Sequence, residues 1–309
     1  MSALDVDPEL MTWFHSFLLH RQQRVKIGGC FSQWATLRGG MPQGSWFGPL
    51  VFITLINDLT TAMPLFKFVD DVTMVETIET SGTSFIQTPA DQLAVWSRSN
   101  LMNINFKIAK EMCMGAIRES SLPPIIIEGH CIDRTDSFKL LGVIVTSNLS
   151  WEAHVSEIHA KACKRLHFLK LLKRSSLSSH DLLQYYKTVV RSVIEYACPV
   201  WQSGLTIEQR DRLESIQRRA IRIISGSSEY ELYCAIYDIE PLSVRLNELT
   251  KALFYRICRQ SDCLNSILPP SRPRETLSRL RHHRRFSNIL CRTERFSKSF
   301  LPYSITSFG

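Results

Sequence analysis

Leu65-Phe66-Lys67-Phe68-Val69-Asp70-Asp71-Val72-Thr73-Met74-Val75 sets two adjacent carboxylates in the middle of a short apolar ribbon. The flanks are aromatic and β-branched, residue types that suit pleated strands. The acids fall where the ribbon turns back on itself. The spacing therefore predicts a hairpin carrying Asp70 and Asp71 at its tip. Side by side, they could ligate a hard divalent cation such as Mg²⁺ through oxygen. The dipeptide alone reads more plainly as an acidic turn, because Asp is common in turns. What separates the two readings is the order of segments on either side.

A chain of 309 residues suffices for one large domain or two ordinary ones, and a 44% hydrophobic content suffices for a core. No run approaches the roughly 18 apolar residues of a membrane span. The first residues, Met1 to Asp7, lack a basic stretch followed by an apolar one, so a secretory signal is not expected. Nine scattered cysteines, an odd number, argue against a disulfide framework and for a reducing, intracellular compartment. Charge is uneven. Residues 1–150 hold 11 Lys and Arg against 14 Asp and Glu, and residues 151–309 hold 26 against 15. A basic second half fits nucleic acid as partner, or a solubilising surface.

Working outward, Gly40-Met41-Pro42-Gln43-Gly44-Ser45-Trp46-Phe47-Gly48-Pro49-Leu50 is a shaped loop leading into a buried helix that closes at Asn57-Asp58-Leu59. Upstream, Pro8 to His20 has helical spacing, and Arg21 to Gly29 reads as a basic turn into a strand. Downstream, residues 90–102 read as a helix, Met112 to Ile117 and Ile125 to Ile127 as strands. Phe138 to Val145 reads as a strand pair in which Gly142 permits close backbone approach. After about residue 150 the pattern turns helical. One helix starts near Ser150, with Val155, Ile158, Ala162, Leu166 and Leu169 on its apolar face and Lys161, Lys164 and Arg165 among its basic residues. A second starts near Ser178. A third opens with a capping box at Thr206 and Gln209, carries Arg218, Arg219 and Arg222, and stops at Gly226. A basic segment at 279–285 includes His282 and His283. Their spacing to Cys258, Cys263 and Cys291 matches no compact zinc finger.

The ordered set Gly40 to Ser45, Gly48-Pro49-Leu50, Ile56-Asn57-Asp58-Leu59 and Phe68-Val69-Asp70-Asp71 resembles the palm of reverse transcriptases, of the non-LTR retrotransposon type with jockey-like and related lineages. Trp96-Ser97 with Asn103-Ile104-Asn105 and Lys107 to Lys110, then Phe138 to Val143, look like the segments that follow. Tyr196-Ala197-Cys198-Pro199-Val200-Trp201 with Gln217 to Ala220, and Arg295 to Pro302, resemble the thumb and C-terminal end of the same elements. The resemblance implies an α+β fold. A partial polymerase palm, a small antiparallel sheet with packed helices, would occupy residues 1–149. A helical thumb would follow at 150–228 and a basic helical C-terminal region at 229–309.

The activity it implies is RNA-directed DNA polymerisation by two-metal nucleotidyl transfer, with an RNA template, a DNA primer, deoxynucleotides and Mg²⁺. Asp70 and Asp71 match two catalytic, metal-binding carboxylates. Gln43 and Gly44 match the loop that touches nucleotide and template. Lys110, or Lys107, matches a lysine near the triphosphate. Leu141 and Gly142 would back the primer end, and Lys161, Lys164, Arg165, Arg218, Arg219 and Arg222 would track the duplex. The family's third palm carboxylate lies on a strand upstream of the segment matching Trp13 to Leu18, and Asp5 and Asp7 do not match it. Fingers and endonuclease are not matched either. The expectation is an N-terminally truncated chain with impaired or absent activity. The alternative is a non-catalytic remnant that binds RNA or RNA–DNA duplex.

Overall fold

A computed structural model describes residues 6–37, 44–79, 82–115, 122–273 and 285–309. Gln43, most of the loop before it, residues 116 and 117, and the histidines at 282 and 283 lie outside the described residues. The chain divides into two compact units. One is Met1–Glu111 with Ala116–Arg134, and the other is Met112–Gly115 with Thr135–Gly309.

In the first unit, α1 (Pro8–Leu18) is capped by Asp7, whose side chain accepts from the Glu9 amide at 2.8 Å. Its Phe14 ring lies 4.4 Å from that of Phe47, at the start of α2 (Phe47–Asn57). Between them runs a nested antiparallel ribbon in which β1 (Gln22–Gln23) pairs with β4 (Ala35–Thr36) and β2 (Lys26–Ile27) pairs with β3 (Cys30–Phe31). The hairpin β5 (Leu65–Phe68) and β6 (Asp71–Met74) follows, then α3 (Gln87–Ser99). Ala90 and Ala94 of α3 pack with Ile127 and Ile132 in a small core. β7 (Lys110–Glu111) pairs in parallel with β10 (Asp133–Arg134), and β8 (Ile126–Ile127) with β9 (His130–Cys131) antiparallel. Mixed helix and strand fits the α+β expectation. Among the described residues, however, every ladder has only two strands. Strands of two to four residues closed by tight turns offer a neighbour little edge.

The second unit holds the main core. Its hairpin β11 (Ser137–Leu140) and β12 (Val143–Thr146) leads into α4 (Glu152–Arg174), whose Val155, Ile158, Ala162, Leu166 and Leu169 are all buried at the expected spacing. The helix starts slightly later than a Ser150 cap would place it: Trp151 holds the cap position, and Ser150 Oγ accepts from the Glu152 amide at 3.3 Å. Ser178 caps α5 (Ser179–Tyr185), which continues through a π-helical turn, Tyr186–Val190, into α6 (Arg191–Glu195). α7 (Cys198–Trp201) and α8 (Ile207–Ser225) come next. The Thr206–Gln209 capping box is formed, and Gly226 ends α8 at a φ of 80°. α9 (Tyr230–Ile236), α10 (Leu242–Ile257), α11 (Glu294–Ser297) and α12 (Phe300–Phe308) complete the unit. Phe254, Phe286 and Ile305 form a second core cluster around α10 and α12.

Candidate active site and nucleic-acid interface

The acidic hairpin forms, with a register one residue away from the simplest reading. Phe68 pairs with Asp71, so the two-residue loop is Val69-Asp70 and Asp71 is the first residue of β6. Val69 adopts a φ of 55°, a left-handed conformation that costs a β-branched residue on the order of 1–3 kcal/mol. Both carboxylates are exposed at the tip.

Lys67 anchors this hairpin. Its Nζ donates to the carbonyls of Ile56, Asn57 and Leu59 at 2.9, 3.1 and 2.8 Å, closing the C-terminal end of α2 with a cation. Asp58 in the same turn accepts from Trp96 Nε1 at 2.8 Å, which ties α2 to α3. Lys67→Met is expected to cost the first unit about 2–3 kcal/mol, because three carbonyls lose a charged donor. Hydrogen exchange at the β5 and β6 amides would report it as lost protection.

No group of three or more His, Cys, Asp or Glu side chains suited to a metal ion occurs among the described residues. Asp70 and Asp71 stand side by side at the hairpin tip, two carboxylates of the oxygen chemistry that a hard divalent cation accepts. Gly44 has a φ of 81° and leads toward α2. Lys110 is ion-paired with Asp133 at 2.7 Å across the β7–β10 ladder, and that hydrogen bond and charge hold the Asp133 carboxyl below its usual range. A triphosphate at Lys110 would have to displace this partner.

In the second unit Leu141 and Gly142 form the β11–β12 turn with φ of 46° and 87°. Close backbone approach at Gly142 is real. A Cβ there would stand 3.1 Å from Tyr196 Cε1, and Tyr196 Oη donates to the Leu141 carbonyl at 2.8 Å. Tyr196 thus clamps the turn, a role invisible in the sequence because it joins residues 55 positions apart.

His154 supports the same hairpin from beneath. Its Nδ1 accepts from the Ile144 amide at 3.3 Å, so the neutral ring carries its proton on Nε2. Burial holds the imidazole below its ordinary value, with Glu157 opposing and Lys161 and Lys139 reinforcing. The unfolded chain binds a proton here at a higher pH than the folded chain does. Stability is therefore full above about pH 6.5 and falls as the pH drops below it. Melting temperatures followed from pH 8 to pH 5 are expected to show that loss, and His154→Gln to flatten it.

The basic helices lie side by side. Gln209 and Arg212 of α8 both reach Glu152 near the start of α4, Arg219 Nη1 lies 3.6 Å from Cys163 Sγ, and Lys173 Nζ donates to the Ile224 carbonyl at 2.8 Å. The matched order makes the two helices parallel. The candidate cations then separate by role. Lys161 pairs with Glu157, whose carboxyl is pulled down to about 2 by hydrogen bonds from Lys139 and Lys161. Arg165 donates to the Val189 carbonyl. Arg219 borders His159, which burial, with Arg212 and Arg219 nearby, keeps below its usual range. Lys164, Arg218 and Arg222 are exposed, Arg218 also lying 5.6 Å from the Tyr230 ring centroid.

Set beside curated proteins, this chain is similar over most of its length to RNA-directed DNA polymerases of mobile elements, the non-LTR retrotransposon type. The lineages are those of jockey, X-element and BS. The jockey polymerase of Drosophila funebris is 25% identical, across 90% of this chain and 33% of that protein. A protein described as "Probable RNA-directed DNA polymerase from transposon X-element" in Drosophila melanogaster is 26% identical, across 85% and 30%. The jockey polymerase of Drosophila melanogaster is 24% identical, across 72% and 26%. The chain thus spans about a third or less of the length of these relatives. No family model and no solved structure matches it.

Proposed function

We propose that this chain is a reverse-transcriptase-type chain of a non-LTR retroelement, impaired or inactive by itself in RNA-directed DNA synthesis, a reaction whose partners are an RNA template and a DNA primer and whose substrate and cofactor are deoxynucleotides and Mg²⁺. In this reading residues 1–149 correspond to palm, 150–228 to thumb and 229–309 to a basic helical end. Asp70 and Asp71 match two of the metal carboxylates, Gln43 and Gly44 match the loop that touches nucleotide and template, Lys110 matches a lysine near the triphosphate, and Leu141 and Gly142 match the bend that backs the primer end. Mg²⁺, when bound in a complete site, lowers the pKa of the primer hydroxyl and stabilises charge on the leaving pyrophosphate. Positioned charge at a reacting phosphate is worth several kcal/mol, more than two carboxylates alone would provide.

One observation carries the reading: the carboxylate pair stands at an exposed hairpin tip in a chain similar across 85–90% of its length to such polymerases. A second reading, a module that grips RNA or RNA–DNA duplex without chemistry, is favoured by the exposed cations of α4 and α8. Both readings require duplex binding driven by phosphate neutralisation. Affinity for an RNA–DNA hybrid is expected to fall steeply between about 50 and 200 mM salt. Binding that is absent, or flat with salt, would overturn both.

A further inference from the structure

The ribbon β1–β4 lies outside every site discussed above, and its two faces differ. Arg24 Cζ stands 4.0 Å from the Phe31 ring centroid and 4.5 Å from that of Trp34, and Lys26 Nζ stands 5.4 Å from Phe31. Lys26 pairs directly with Phe31 across the ladder, so these four side chains form one row on one face. Val25 and Ile27 alternate to the other face. The ribbon buries none of this row: Phe31 is 50% and Trp34 58% exposed. Its hydrogen bonding is complete enough to hold that shape. Leu37 N donates to the Arg21 carbonyl at 2.8 Å, Ser32 N to the Val25 carbonyl at 2.9 Å, and Val25 N to Ser32 Oγ at 2.9 Å. Residues 21–37 contain three basic side chains, Arg21, Arg24 and Lys26, and no acidic one.

Cations interleaved with open aromatic faces are the chemistry of single-stranded nucleic-acid recognition. Phosphates pair with the cations, while bases stack on the rings and on the guanidinium plane with little regard to sequence. A duplex keeps its bases stacked on one another and cannot use the rings in this way. An acidic peptide could use the cations but not the aromatic faces. We propose that the Lys26–Phe31–Arg24–Trp34 face of this ribbon is a binding site for single-stranded nucleic acid. The proposal rests on the nucleic-acid reading above and adds a location and a strandedness to it.

The test titrates the full chain into fluorescently labelled poly-uridine, an RNA without internal pairing, with an RNA–DNA hybrid and poly-glutamate as parallel probes. Trp34→Ala and Phe31→Ala are each expected to weaken poly-uridine binding by about ten-fold or more. Trp34→Phe, which keeps an aromatic face, is expected to restore most of the loss, and Ile27→Ser on the opposite face to leave binding unchanged. Both alanine changes are at exposed positions, and unchanged circular dichroism will verify that the chain still folds. Poly-uridine affinity indifferent to Trp34→Ala and Phe31→Ala overturns the proposal. So does equal competition by poly-glutamate, which would mean that charge alone is read. Loss confined to the hybrid probe overturns it as well. Hybrid binding that persists while poly-uridine ignores the ribbon sinks this inference alone; binding of neither probe sinks the nucleic-acid reading with it.

Discussion

Trp201→Ala is expected to destabilise the helical unit by about 3–5 kcal/mol, the largest loss foreseen for a single substitution. Trp201 is fully buried and is the largest side chain in the main core. Its ring lies 5.4 Å from that of His154, and its Nε1 donates to the Tyr196 carbonyl at 3.2 Å. Truncation would leave a cavity between α4 and α7 and remove the donor that holds the Tyr196 backbone. Tyr196 in turn clamps Leu141 and faces Gly142, so the damage should spread to the β11–β12 turn. Urea denaturation followed by far-ultraviolet circular dichroism measures the total. Exchange at the Val143 and Ile144 amides measures the spread. A loss under about 1 kcal/mol would mean that the core does not close around this ring.

The triple change Lys164→Ala, Arg218→Ala, Arg222→Ala is expected to lower affinity for an RNA–DNA hybrid on the order of a hundred-fold near 0.1 M salt. It should also make the log–log salt slope shallower by about 2–3, close to one unit per phosphate contact removed. These three side chains are exposed and lie off the buried faces of α4 and α8, so folding stability should change little. Arg165→Ala is the contrasting variant. Its guanidinium is engaged by the Val189 carbonyl, where a π-helical turn leaves backbone acceptors to satisfy. That substitution should lower stability and leave the salt slope alone. If all the cations of α4 and α8 weakened binding equally, the division between structural and exposed charges would be wrong.

The sequence discloses these features unevenly, and the reason is physical. The Ser178 cap, the Thr206–Gln209 capping box and the Gly226 stop obey rules that act within a turn of helix, and each is found where those rules place it. The buried stripe of α4 follows from its periodicity. Hairpin register is less legible. Asp70-Asp71 is the more natural turn by propensity, yet the observed loop uses Val69 at a φ its side chain disfavours. Lys67 and Tyr196 have no local signature at all, since their partners are set by tertiary packing. Composition marks Lys161, Lys164, Arg165, Arg218, Arg219 and Arg222 alike as basic. Only the contacts separate Arg165, held by a carbonyl, from Lys164 and Arg222, which face solvent. The Lys110–Asp133 pair was hidden in the same way, because it depends on a parallel ladder joining strands more than 20 residues apart.

The two carboxylates at the hairpin tip remain the centre of the proposal, and among the described residues no group of three or more His, Cys, Asp or Glu side chains suited to a metal ion includes them. Primer extension by this chain on an RNA template with Mg²⁺ tests that most directly. No templated incorporation above background is expected, with hybrid binding retained. Robust incorporation that disappears in Asp70→Ala would contradict it, showing that the pair is part of a complete catalytic site.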